Sequence, residues 1–159
     1  MELKEVTLQE LSAIQHEIML APCAPFSIPD FKVIAYKGIY SHGSMGSQDA
    51  RYIVATAKAA HEAWYSSAII LDFTELDYQW GDEMDWVLSI GHQPHINCSY
   101  SLAIIVGSKC ESALRTLWAD DYEQLCFNSL EQALKALKGK VAKYKLCLQE
   151  WRKQPNRTS

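Results

Sequence analysis

Four carboxylates and two aromatic rings lie within one short segment of the sequence. In "AIILDFTELDYQWGDEMDWVLSIG", residues 68–91, they fall between positions 77 and 85 and are Asp77, Tyr78, Trp80, Asp82, Glu83 and Asp85. Tryptophan is enriched at the energetic hot spots of protein interfaces, and clustered carboxylates steer basic partners. Acid–base catalysis by paired carboxylates needs a cleft that raises one pKa, whereas a helix N-terminus lowers it. The pattern therefore favours a surface that binds another protein with a basic face.

Helix capping is the alternative explanation of the same carboxylates. The sequence from Asp82 to Ile90 can form a helix, which Gly91 and Pro94 would end. Asp82, Glu83 and Asp85 would then occupy its first turn, where negative charge interacts favourably with the helix dipole. On this alternative, Trp80 packs on the core and the segment has no partner.

A second set of reactive side chains lies in "GHQPHINCSY". His92, His95 and Cys98 have metal-like spacing, and His42 or His61 could complete a ligand set. Zinc sites normally hold four ligands on firm elements, whereas these three residues straddle a proline loop, so we predict no metal site. A small hydrolase or lyase using His42, His92 or His95 is the remaining enzymatic alternative. No GxSxG, Walker or GxGxxG motif is present, so we predict no cofactor and a non-enzymatic protein.

Composition excludes several classes of function. A formal charge of −4 argues against nucleic acid as a partner, since phosphates require a basic face. The lysines of "KALKGKVAKYK" are typical of a solvated helix face. We find no signal peptide and no apolar run of the roughly 20 residues that span a bilayer. The sequence therefore predicts a cytoplasmic protein without membrane contact.

The cysteines also favour a cytoplasmic location. Their number is odd and no CxxC pair occurs, which predicts reduced thiols, mostly buried, rather than a disulfide framework. They are Cys23, Cys98, Cys110, Cys126 and Cys147.

Residues 1–30 are predicted to form a helix followed by a connector. Thr7 and Glu10 have the spacing of a capping box, before a helix that continues to about Leu20. The connector "APCAPFSIPD" contains three prolines, which are incompatible with a helix interior.

Residues 31–138 alternate between hydrophobic strands and helices. "FKVIAYKGIY", "SAIILDF", "YSLAIIVGS" and the short "EQLCF" have the composition of strands. Residues 48–64, "ESALRTLWADD" and "LEQALKAL" have helical spacing. This order predicts a single α/β domain with helices packed on a mixed sheet. Gly139 is predicted to break the chain before a last helix, in residues 139–159, that ends in a frayed tail.

From Phe31 to Leu137, the sequence resembles the STAS domains, which include bacterial anti-sigma factor antagonists. "VIAYKGIY" is similar to the first core strand of that family. "AIILDFTELDYQWGDEMDWVL" is similar to its central strand, loop and helix, with Asp72 at the strand end, and "LAIIVGS" and "NSLEQALKAL" to its closing elements. The resemblance covers roughly two-thirds of the chain and implies a STAS-like fold and a bacterial regulator that binds proteins.

The chain departs from that family at the phosphorylation site. Antagonists of the family carry a serine, phosphorylated by a partner kinase, at the start of the helix after the central strand. Here the corresponding residues are Trp80, Gly81, Asp82 and Glu83, and none has a hydroxyl group. We therefore expect a regulator without a kinase-operated switch or, alternatively, an immunity-type protein that neutralises a basic toxin such as a nuclease.

Overall fold

Five strands form one mixed sheet in the order β1-β2-β3-β4-β5 in the computed structural model, which describes residues 3–25, 27–90 and 100–153. The strands are β1 Gln15–Leu20, β2 Lys32–Ile39, β3 Ala68–Asp77, β4 Ser101–Val106 and β5 Cys126–Phe127. β1 runs antiparallel to β2, whereas the remaining neighbours are parallel. The predicted single α/β domain with a mixed sheet is confirmed.

Helices cover both faces of this sheet. They are α1 Gly46–Ala63, α2 Glu111–Leu125 and α3 Leu130–Arg152. Short 3-10 helices occur at Leu8–Glu10, Gly43–Met45 and Met84–Ser89. Parallel neighbours require crossover connections, and α1 and α2 are the helical crossovers after β2 and β4.

The core has two parts, one on each face of the sheet. The larger part joins α1, α2 and the Met84–Ser89 helix to strand residues such as Ile34, Leu71 and Phe73. The smaller part joins α3, through Ala133 and Leu137, to the other face. Burial on both faces explains why β4 consists of six buried residues in succession.

The predicted N-terminal helix is wrong beyond its first turn. The backbone N–H of Thr7 donates to the Glu10 carboxylate at 3.1 Å, but only the 3-10 helix Leu8–Glu10 follows. Gln15–Leu20 instead forms β1, in which Ile18 pairs with Ile34 of β2. Pairing with β2 satisfies the backbone of this segment, and that long-range contact outweighs the local helical spacing of its apolar residues.

The predicted helix after β3 starts later than expected. Glu83 has a φ of 68°, in the left-handed region, and the 3-10 helix begins at Met84. Asp82 and Glu83 therefore precede the helix, and Asp85 lies in its first turn. Capping accounts for Asp85, but it does not account for the other two carboxylates.

The last helix is continuous, so the predicted break at Gly139 is wrong. α3 runs through Gly139, where an added Cβ would meet nothing within 4 Å. A glycine inside a helix costs only about 1 kcal/mol relative to alanine, which the packing of α3 on the sheet outweighs. α2 likewise extends to Leu125, with a change of direction at Ala119, and leaves only Cys126–Phe127 as strand.

The cysteines differ in state. Cys23, Cys110 and Cys126 are free, and the last two are buried, as predicted. Cys147 is disulfide-bonded, so the prediction of a reduced thiol is wrong for that residue. In the described part of the chain, we find no helix with the length and apolar character needed to cross a bilayer.

Candidate functional site

The predicted binding residues lie where the parallel strands β2 and β3 end side by side. The loop after β2 and the loop after β3 meet there, because neighbouring parallel strands deliver their C-terminal ends to one edge. The N–H of Tyr40 donates to the carbonyl of Asp77 at 2.9 Å, and the N–H of Asp82 donates to the carbonyl of Gly43 at 3.1 Å. These two bonds fix the loops relative to each other and to the start of α1.

Trp80 is exposed and yet held in place. Its side chain is 58% exposed, although its ring stacks on the His42 ring with centroids 5.6 Å apart and planes 18° apart. The same ring covers Gly43, where an added Cβ would lie 3.3 Å from it. The structure thus presents a large apolar ring to solvent with one face already packed.

Two buried tyrosines support the backbone under Trp80. Tyr40 and Tyr78 pack edge to face, with ring centroids 5.0 Å apart. The Tyr40 hydroxyl donates to the carbonyl of Asp82 at 2.7 Å, and the Tyr78 hydroxyl donates to that of Gly81 at 3.3 Å. Tyr78 is only 3% exposed, so the predicted role for it at the rim of a binding face is wrong. Its place in the core follows from edge-to-face packing on Tyr40 and makes it a positioning residue.

Glycines allow the segments to approach this closely. A Cβ on Gly81 would lie 2.6 Å from the carbonyl oxygen of Ser41 and 2.7 Å from the Tyr40 ring. A Cβ on Gly46 would lie 2.5 Å from the same ring. Side chains at either position would therefore force the loops apart.

The carboxylates have different surroundings. Asp82 and Asp85 are exposed, whereas Asp77 is half-buried and accepts a hydrogen bond from the Gln79 amide at 2.9 Å. Glu83 is also half-buried, and its Oε2 has no hydrogen-bond partner among the described residues. Asp82 and Asp85 are thus the charges most accessible to a partner.

The pKa values of the two buried tyrosine hydroxyls are raised mainly by burial and, to a smaller extent, by neighbouring carboxylates. Burial raises the pKa of the Tyr40 hydroxyl, and the nearby Tyr78, Asp49, Glu83 and Asp82 raise it further. Burial likewise raises the pKa of Tyr78, with smaller contributions from Asp85 and Asp82. Several carboxylates therefore lie near the two hydroxyls at this edge of the sheet.

Four residues that the sequence did not single out for binding extend the surface. The Arg51 guanidinium lies 6.0 Å from the centroid of the Trp86 ring, which is 41% exposed, and Met45 is 70% exposed. His42 completes the group through its stacking on Trp80. The adjacency of β2 and β3 was the available signal, because it brings the "SHGSMGSQ" loop to the acidic segment. We call the acidic-aromatic surface the set Trp80, Asp82, Asp85, Trp86, His42, Met45 and Arg51.

A buried carboxylate organises the start of α1. Asp49 is 3% exposed and accepts hydrogen bonds from the N–H of Ser41, at 2.7 Å, and from the Ser12 hydroxyl. This side chain ties β1 and β2 to the helix.

The histidines in the described part of the chain do not belong to a cluster of metal-ligating side chains. No group of three metal-ligating side chains occurs within residues 3–25, 27–90 and 100–153. His92, His95 and Cys98 lie outside the described residues. His61 is buried, with its Nδ1 3.4 Å from the Tyr100 hydroxyl, and burial lowers its pKa.

No family model and no curated protein matches this chain.

Proposed function

We propose that this chain is a non-enzymatic module that binds another protein through the acidic-aromatic surface. The observation that carries the proposal is the state of Trp80, which is 58% exposed but stacked on His42. An exposed tryptophan in a soluble domain contributes apolar area that a partner can cover.

The fixed position of this ring favours binding. Immobilising a flexible side chain at an interface costs about 0.5–1.5 kcal/mol, and a side chain that is already ordered avoids much of that cost. The buried tyrosine pair, the glycine contacts and the buried Asp49 all serve to order the two loops.

The chemistry of the surface defines the partner. Asp82 and Asp85 are exposed beside Trp80, and a basic protein face is their complement. Trp86 already receives the Arg51 guanidinium at 6.0 Å, and the face of Trp80 that is not stacked on His42 could receive an arginine of the partner.

Two kinds of partner fit this proposal. A STAS-like regulator would bind a kinase or another component of sigma-factor control, and the absence of a serine at residues 80–83 would make that binding constitutive. An immunity-type protein would bind a basic toxin such as a nuclease, with association rates that fall steeply with salt.

Affinity capture from lysate of the source cell tests the proposal. The native chain and an Asp82→Lys/Asp85→Lys variant serve as baits at low and high salt. We expect one stoichiometric partner on the native bait and at least about tenfold less on the variant, since reversed charges oppose a basic face. A Lys135→Glu/Lys138→Glu variant on α3 controls for a general effect of charge reversal.

The partner then separates the two alternatives. A sigma-control protein identifies a regulator, and a nuclease whose activity falls on addition of the chain identifies an immunity protein. Equal capture by the native and Asp82→Lys/Asp85→Lys baits, both shown to be folded by circular dichroism, would contradict the proposal.

A further inference from the structure

A second, unrelated site lies on the opposite face of the sheet. A groove of about 420 Å³ runs between α3 and the start of β3. Its apolar lining includes the partly buried Phe31, Leu134 and Val141 and the exposed Ala142, with the buried Ala68 and Leu137 beneath them. Small-molecule sites have volumes of roughly 300–1,000 Å³ and largely apolar linings, so this groove has a suitable size and character.

Positive charge dominates the mouth of the groove. Lys138 and Lys145 line it from α3, and Asp30 is the acidic residue among its lining. Lys145 pairs with Asp30 at 2.5 Å, and both side chains are substantially exposed, at 44% and 67%. Lys138 forms no ion pair within the described part of the chain. One cation is therefore available without the loss of any existing pair.

The sequence of α3 adds to the positive charge at the mouth of the groove. Lysines occur at 135, 138, 140, 143 and 145, and no acidic residue occurs from 132 to 149. An anionic headgroup at the mouth would meet attraction along the helix. A cationic headgroup would meet repulsion at the same place.

We propose that this groove binds a free medium-chain fatty acid. The alkyl chain would cover the partly exposed Phe31 and Val141, and the carboxylate would pair with Lys138 at the mouth. Apolar burial supplies affinity in proportion to the chain length covered, and the lysine supplies selectivity for the anion.

This inference is independent of the acidic-aromatic surface. β3 begins at Ala68, in the groove, and ends at Asp77, beside that surface. Ten residues of strand span about 30 Å, so a ligand in the groove does not touch Trp80.

Calorimetric titration with decanoate, below its micellar concentration, tests the proposal. We expect saturable one-to-one binding by the native protein. Decyltrimethylammonium, with the same chain and the opposite charge, should bind at least about tenfold more weakly because it meets Lys138 and Lys145.

Three variants make the test specific. Lys138→Glu should weaken decanoate binding about fivefold or more, while Lys135→Glu, the same change outside the groove lining, should leave it unchanged. Ala142→Trp fills the groove from its exposed wall and should abolish binding without touching the core. Circular dichroism and gel filtration establish that each variant is folded and report its oligomeric state.

Several results would overturn the proposal. Absence of binding to the native protein, equal binding of the two amphiphiles, or unchanged binding by Ala142→Trp would each do so. If decanoate does not bind and Ala142→Trp converts a native dimer to a monomer, the groove is a contact between two copies of the chain.

Discussion

Lys32 shows how one buried charge can support an element. It is 0% exposed, and its Nζ donates to the carbonyl of Ala60 at 2.8 Å and to that of Trp64. These carbonyls close the C-terminal end of α1, where the helix dipole favours a cation. Burial nevertheless lowers the pKa of Lys32 to about 8, an effect that the nearby Glu62 opposes.

This pKa predicts a pH dependence of stability. Between pH 8 and about 10.5, the unfolded chain binds a proton at Lys32 that the folded chain has lost. The contribution of Lys32 to the free energy of unfolding therefore rises with pH across this window. Urea unfolding at pH 7.5 to 10 should show a slope with pH that Lys32→Met reduces.

A matched substitution controls for other titrating groups. Lys58 is an exposed lysine on the same helix, and Lys58→Met should keep the native slope. Identical slopes for the native protein and Lys32→Met would contradict the assignment of a lowered pKa to this residue.

Gly81 is a residue at which the loops of the surface leave no room for a side chain. Gly81→Ala places a Cβ 2.6 Å from a backbone oxygen of Ser41, which cannot rotate away. We expect the free energy of unfolding to fall by about 1–3 kcal/mol, as for other overpacked sites, with weaker partner binding. Thermal unfolding measures the first effect, and an unchanged melting temperature would show that the loops separate freely.

At the scale of elements, the sequence predicted the strands and helices that have an uninterrupted pattern of apolar residues. β2, β3, β4 and α1 were predicted because their apolar runs or helical stripes have one interpretation. β1 was not predicted, because the spacing of Ile14 and Ile18 is also typical of a helical face. In the structure, Ile18 instead pairs with Ile34 of β2. Only long-range pairing distinguishes the two, and no local pattern contains that information.

A substitution in α3 tests the finding that this helix continues through Gly139. Gly139 lies inside the helix, with open space where a Cβ would be. Gly139→Ala should therefore raise the free energy of unfolding by about 0.5–1 kcal/mol, because alanine loses less backbone entropy. Chemical denaturation measures this gain. A loss of stability would indicate that the chain does break at residue 139.

At the scale of the whole molecule, the order of the strands creates the candidate site. The sequence predicted Trp80, Asp82 and Asp85 as accessible residues, and the structure places them on the surface. It did not predict Trp86 as part of that surface, nor His42, Met45 and Arg51, which join it through the adjacency of β2 and β3. It assigned Tyr78 to the rim, although packing against Tyr40 buries that ring. Residue type was thus sufficient to predict the exposure of Asp82 and Asp85, whereas the partial burial of Asp77 and Glu83 required the fold.

The central claim concerns Trp80, and two tryptophans of similar exposure test it most directly. Trp80 is 58% exposed near the start of α1, and Trp64 is 49% exposed just after its end, about 27 Å away along the helix. The measurement is the affinity of the captured partner for the native chain, Trp80→Ala and Trp64→Ala. We expect Trp80→Ala to weaken binding by about 2 kcal/mol or more, a loss typical of a hot spot, and Trp64→Ala to bind like the native chain. Equal affinities for the two variants would contradict the claim that the acidic-aromatic surface is the binding site.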